Sequence, residues 1–184
     1  MNYPCDEYQI KYRDFFILNF YLIGMNIGNM LMLKHSDVNN GRIEYYRNKT
    51  NKLISVLIQP EAQTILDKYK GKNYLLDVMD TYKDYKYFIR RMNTALKQIG
   101  KTTRSGLGGK KTRNPIFPDI SSYWARHTWA TLAEELEIPK ETISAALSHS
   151  SSDTTSIYIR FNQKKIDKAN RYIINYIKGE ISID

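Results

Sequence analysis

The sequence predicts a mainly α chain with a small antiparallel β-sheet (α+β), and three patterns predict it. Apolar residues recur at helical spacing from Tyr12 to Leu33 and again from Ile166 to Ile177. Two short runs rich in β-branched and aromatic residues, Arg42–Tyr46 and Leu53–Ile58, flank a polar Asn48–Lys52 centre, the pattern of a hairpin. Pro60 and Pro139 stand where helices begin rather than inside them.

Taken in order, Phe15, Phe16, Leu18, Phe20 and Leu22 precede Gly24–Asn26, and Ile27, Met30, Leu31 and Leu33 follow it, so this stretch reads as two helices meeting at a bend. Asn19, Gly24 and Asn26 interrupt its apolar run, which falls short of the roughly 18 residues that a membrane span needs. Pro60-Glu61-Ala62 opens a helix running to about Lys70, with Gly71 as its stop, and another helix covers Tyr82–Ile99. Residues 100–119 hold four of the nine glycines, two prolines and five basic side chains: Lys101, Arg104, Lys110, Lys111 and Arg113. Such a stretch is expected to be an irregular basic loop. Beyond it the sequence predicts a helix capped by Ser121 or Ser122 and running to about Glu137, a Pro139-initiated helix to Leu147, and a third from about Asp153. The tail Lys164–Lys178 is helical again, striped by Ile166, Ala169, Ile173, Ile174 and Ile177.

A length of 184 residues with 42% hydrophobic content suits one domain around one core. The 28 Lys and Arg against 19 Asp and Glu leave a net charge of +9, which favours a polyanionic partner through counterion release from phosphates, with nucleic acid the leading class. A single cysteine, Cys5, excludes an intramolecular disulfide, and the first residues lack the layout of a signal peptide, so a reducing cytoplasm is expected. The three histidines, His35, His127 and His149, are far apart and form no paired-ligand motif, which disfavours a metal nuclease. No metal and no cofactor is expected.

With fifteen tyrosines, spacing to other groups has to single one out. In Leu147-Ser148-His149-Ser150-Ser151-Ser152-Asp153-Thr154-Thr155-Ser156-Ile157-Tyr158, a polar turn joins a helix ending near histidine to one carrying tyrosine. The run resembles the box of the tyrosine recombinase (phage integrase) family: Leu-Gly-His-Ser-Ser, a short spacer, Thr-Thr, two residues and the nucleophilic Tyr. Here Ser148 takes the place of the usual glycine. Ser122-Tyr123-Trp124-Ala125-Arg126-His127-Thr128-Trp129-Ala130-Thr131 resembles the second box of the family, centred on an Arg-His pair. Gly41-Arg42-Ile43-Glu44-Tyr45-Tyr46-Arg47-Asn48-Lys49-Thr50 is similar to the strand pair that delivers its catalytic lysine. The likeness extends from about Phe15 to the tail.

The resemblance implies the tyrosine-recombinase catalytic-domain fold across residues 1–184, without the N-terminal core-binding and arm-binding domains of full-length members. It implies a bacterial, cytoplasmic, DNA-associated recombinase or integrase that cuts and rejoins double-stranded DNA through a 3′-phosphotyrosyl intermediate, as a homotetramer on two sites. The residue types fit such chemistry. Cutting DNA without a metal requires cations aimed at the nonbridging oxygens of the transition state, a task that suits the rigid guanidinium of Arg126. His149 either bonds the same phosphate or manages the tyrosine proton. Lys49 would protonate the departing 5′ oxygen, and Tyr158 would hold the 3′ phosphate. The basic side chains Lys101, Arg104, Lys110, Lys111 and Arg113 would touch the DNA.

Two departures from the family pattern matter. The first box, usually Thr-Gly-Leu-Arg, is matched by Ile23-Gly24-Met25-Asn26, so Asn26 stands where an arginine would clamp the phosphate. Tyr123 stands where a histidine is common, and its hydroxyl is still a donor. Arg47 is the first choice to replace the missing arginine, because in an extended segment it shares a face with Lys49 and Arg42 faces the other way. The tail resembles the family segment that docks onto a neighbouring protomer. Two alternatives stay open: a non-catalytic DNA-binding module built on a helix-turn-helix around His149, and an enzyme like a type IB topoisomerase.

Overall fold

A computed structural model describes residues 4–46, 53–106, 109–147 and 156–182, giving only the main chain for 156–162. Helix α1 (Glu7–Tyr21) lies at its centre, because its apolar residues occupy more than one face: Tyr12, Phe15, Leu18 and Phe20 are all buried. Helices α3 (Pro60–Lys68), α5 (Tyr85–Lys97) and α6 (Trp124–Glu135) pack around it. The buried Asp14 of α1 is held by Lys68 at 2.7 Å, Arg13 at 2.8 Å and the Tyr69 hydroxyl at 2.8 Å. Burial by itself would raise its pKa, but these bonds hold the carboxyl below its ordinary value.

The chain leaves α1 through a bend at 22–26 and re-enters helix as α2 (Ile27–Met32), the expected pair. A 3-10 turn at His35–Asp37 leads to β1 (Val38–Asn39), β2 (Arg42–Tyr46) and β3 (Leu53–Leu57), an antiparallel sheet in that order. The register runs from Arg42 opposite Leu57 to Tyr46 opposite Leu53. Alternation then gives the sheet two faces: Ile43, Tyr45, Ile54 and Val56 on one, Arg42, Glu44, Ser55 and Leu57 on the other. Helix α3 starts with Pro60 at its first position, as predicted, and the short α4 (Val78–Thr81) precedes α5. In α5, Phe88, Met92, Ala95 and Leu96 turn inward while Arg90, Arg91 and Lys97 stay exposed.

Residues 100–119 are not the expected irregular loop. They contain β4 (Gly100–Arg104) and β5 (Lys111–Pro115), paired antiparallel from Gly100 opposite Pro115 to Arg104 opposite Lys111. The β-branched Thr102, Thr103 and Thr112 favour extended backbone, and Arg113 pins the pair to the start of α1 through Asp6, at 2.5 Å. The cap of α6 also differs from expectation. Tyr123 occupies the position, without a side-chain bond, and Ser122 before it donates its amide to Asn93 Oδ1 at 2.8 Å.

Helix α7 (Lys140–Ala146) follows Pro139, and α8 (Ser156–Ile177) is one continuous helix where the sequence suggested two pieces. Its stripe is not left for a neighbouring protomer, since Ile166, Ala169, Ile173 and Ile174 are buried on the chain's own core. Asn170 accepts from Trp129 Nε1 at 2.8 Å and donates to the Tyr21 carbonyl at 2.9 Å, tying α8 to α6 and α1. Arg171 grips Glu61 of α3 with two bonds of 2.9 and 3.0 Å, and Lys178 adds a third at 3.0 Å. Among the described residues, no helix is long and apolar enough to cross a membrane.

The Glu61 grip makes α8 docking pH-dependent. The Arg171 bonds outweigh desolvation and, with the backbone and Lys178 bonds, lower the Glu61 pKa from 4.5 to about 2. A carboxylate with a depressed folded pKa contributes stability above its unfolded pKa and loses it as pH falls towards the folded one. Glu61→Gln should therefore cost about 2 kcal/mol in urea unfolding at pH 7. The gap from the parent should close progressively from pH 4.5 to about 2.

Candidate active site

Arg126 lies one residue beyond Ala125 on α6, whose Ala125, Trp129 and Ala133 form the buried face, so its side chain leaves from the edge of that face. The guanidinium is half-buried. Nη1 donates to the Gly24 carbonyl at 3.2 Å, and Nη2 donates to the Leu147 carbonyl. Leu147 ends α7, where helix carbonyls lack intrahelical partners and a guanidinium is a natural donor. One side chain thus joins the α1–α2 bend, α6 and the residue just before Ser148-His149.

The bend is shaped for this contact. Ile23 and Gly24 both adopt left-handed backbone, with φ of 61° and 59°. For the β-branched Ile23 this stores strain on the order of 1–3 kcal/mol, held by the Ile23 amide bond to the Phe20 carbonyl and the Gly24 amide bond to the Asn19 carbonyl. A Cβ on Gly24 would lie 2.3 Å from Arg126 Cα and 2.5 Å from its Cβ, so the two main chains approach as closely as a glycine allows. Asn26, where the family pattern has arginine, caps α2 by accepting from the Asn29 amide at 3.2 Å.

Asn26 and Arg126 line one small cavity together with Tyr45 and Ile54 of the β2–β3 hairpin, Met25 and Ala146. The sheet therefore turns its Ile43-Tyr45 face towards the arginine. Arg42, on the opposite face, is bound bidentately by Asp167 of α8 at 2.7 and 3.0 Å. Tyr123 is exposed at the start of α6, edge-on to the exposed His127 ring with 4.7 Å between centroids.

Of the expected basic contacts, Lys101, Arg104, Lys110 and Lys111 are exposed on or beside the β4–β5 hairpin. Arg113 is engaged with Asp6, the Tyr8 hydroxyl at 2.8 Å and Gln98 at 3.2 Å. Arg47, Lys49 and His149 lie outside the described residues, as does the side chain of Tyr158. Sequence reasoning named Arg126 but missed its partners Gly24 and Leu147, whose contribution is a main-chain carbonyl and leaves no side-chain signature. It also missed Tyr45, although alternation with Ile43 could have placed it.

A family model described as the phage integrase family matches residues 1–165. No curated protein matches the chain, and no solved structure does.

Gly24→Ala should be far more damaging than an ordinary left-handed glycine replacement. It combines backbone strain with a clash against Arg126 main chain and should cost about 3–4 kcal/mol in denaturant unfolding. Gly41 has φ of 72° with nothing near its Cβ position, so Gly41→Ala supplies the control at about 1 kcal/mol.

Proposed function

The chain belongs to the phage integrase family, whose members generally break and rejoin DNA, and on that premise we propose that it cleaves one DNA strand with Tyr158 and holds the 3′ end covalently. The observation that carries this reading is Arg126, held by carbonyls of the α1–α2 bend and of Leu147, next to the run that ends in Tyr158. A guanidinium fixed in this way needs little reorganisation to meet a phosphate, as transition-state stabilisation requires.

The Tyr158 oxygen attacks phosphorus while His149 takes its proton. The bond from phosphorus to the 5′ oxygen breaks, and Lys49 protonates that oxygen. The phosphotyrosyl link conserves the bond energy, so a 5′ hydroxyl from another strand reverses the step without a nucleotide cofactor. Tyr123 donates to the phosphate from the start of α6. Lys101, Arg104, Lys110 and Lys111 meet the backbone of the duplex, and a homotetramer on two duplexes completes the exchange.

Arg47 takes the place of the arginine absent at Asn26. One extrapolation and one observation support this. If strand alternation were carried one residue past Tyr46, position 47 would share the face of Ile43 and Tyr45, the face turned towards Arg126. Arg42, the other guanidinium of this hairpin, is already bound to Asp167.

Tyr158→Phe should bind DNA as the parent does but form no covalent complex on a nicked suicide substrate, and the parent should form it in the presence of chelator; an adduct from the Phe variant would sink the assignment. In single-turnover cleavage, Arg47→Ala should lose about a hundred- to thousandfold in rate, with part regained when Asn26→Arg is added. Parent-like cleavage by Arg47→Ala would end the compensation argument.

A further inference from the structure

The contact between α8 and the β2–β3 hairpin is more ordered than docking a terminal helix requires. Asp167 receives both Arg42 Nη1 and Nη2, and Arg42 Nε donates to Ser55 Oγ at 2.7 Å. Ser55 Oγ in turn donates to Glu44 at 3.0 Å, and one turn earlier on α8, Gln163 Nε2 donates to the Ser55 carbonyl at 2.6 Å. Both side chains of the ion pair are more than four-fifths shielded, at 19% and 18% exposure, so solvent screens the pair weakly.

These bonds set a register. From Asp167 to Gln163 the helix rises about 6 Å. From the Arg42–Leu57 pair to the Glu44–Ser55 pair the hairpin rises about 7 Å. Gln163 directly, and Asp167 through Arg42, thus hold the same hairpin residue, Ser55, whose carbonyl also accepts from Arg42 Nη2 at 3.4 Å, and from there each element leads towards reactive positions. Five residues past Gln163, about 7.5 Å along the helix, is position 158. About 7 Å beyond Glu44 is Tyr46, the last residue of β2 before positions 47 and 49.

We propose that the Arg42–Asp167 pair is the coupling that holds the hairpin bearing Lys49 in register with the helix bearing Tyr158, which makes Asp167 a positioning residue for strand cleavage. The inference rests on the proposed chemistry. Tyr158 attacks one side of the phosphate and Lys49 protonates the oxygen leaving from the other, so the two must be presented together. One ion pair between their supports fixes that spacing without touching DNA. A mismatch of about 1 Å costs on the order of a hundredfold in rate.

The test compares the full chain with Asp167→Asn on nicked suicide DNA and on the same DNA carrying a 5′-bridging sulfur, whose thiolate leaves without needing a proton. On ordinary DNA, Asp167→Asn should cleave about ten- to a hundredfold more slowly at saturating protein, with affinity unchanged within about twofold. On the sulfur substrate most of the deficit should vanish, and Asp167→Glu should recover part of the rate on ordinary DNA. An undiminished rate on ordinary DNA, or an equal deficit on both substrates, would overturn the coupling. Amide hydrogen exchange reads the coupling without cleavage: Asp167→Asn should deprotect residues 53–57 and 160–166 together, and deprotection of either alone would refute it. A parent that forms no adduct would overturn the recombinase reading instead, and the exchange result would then decide the coupling.

Discussion

The close approach of Gly24 to Arg126 is the contact on which the rest of the site depends. It requires a left-handed turn after α1, a residue without Cβ at its crossing point, and an α6 whose small Ala125 lets the helix sit deep enough for Arg126 to reach. Once made, it puts a fixed positive charge where the α1–α2 bend, α6 and the end of α7 converge. Strain at Ile23 is tolerated because the bend's own hydrogen bonds and the buried side chains of Leu22, Ile23 and Met25 over-determine its backbone.

The sheet divides the labour between its two faces. Ile43, Tyr45, Ile54 and Val56 meet the core and the cavity that Arg126 and Asn26 share, while Arg42 and Ser55 bind α8. A one-residue slip in β2 would exchange the two sets, placing an arginine in the core and an isoleucine against Asp167. The register that anchors α8 is thus the same one that seats Tyr45 at the cavity lined by Arg126.

Much of this was legible in the sequence, for reasons that individual residues make plain. The bend at Gly24–Asn26, the Pro60 helix start and the 42–58 hairpin follow from local patterns. The β4–β5 hairpin was hidden because glycines and prolines outweighed Thr102, Thr103 and Thr112. The cis docking of α8 was hidden for a different reason: the surface it covers is assembled from Trp129, Tyr21 and Glu61, which are far from it in sequence. Arg126 could be named from its motif, but its anchors at Gly24 and Leu147 are backbone atoms and emerge only from the fold.

The most direct measurement of the central claim is peptide mapping of the covalent complex trapped on nicked DNA by the unmodified chain. A nucleotide remnant is expected on the peptide containing Tyr158 and on no other of the fifteen tyrosines. A remnant on a different tyrosine, or on a serine, would contradict it.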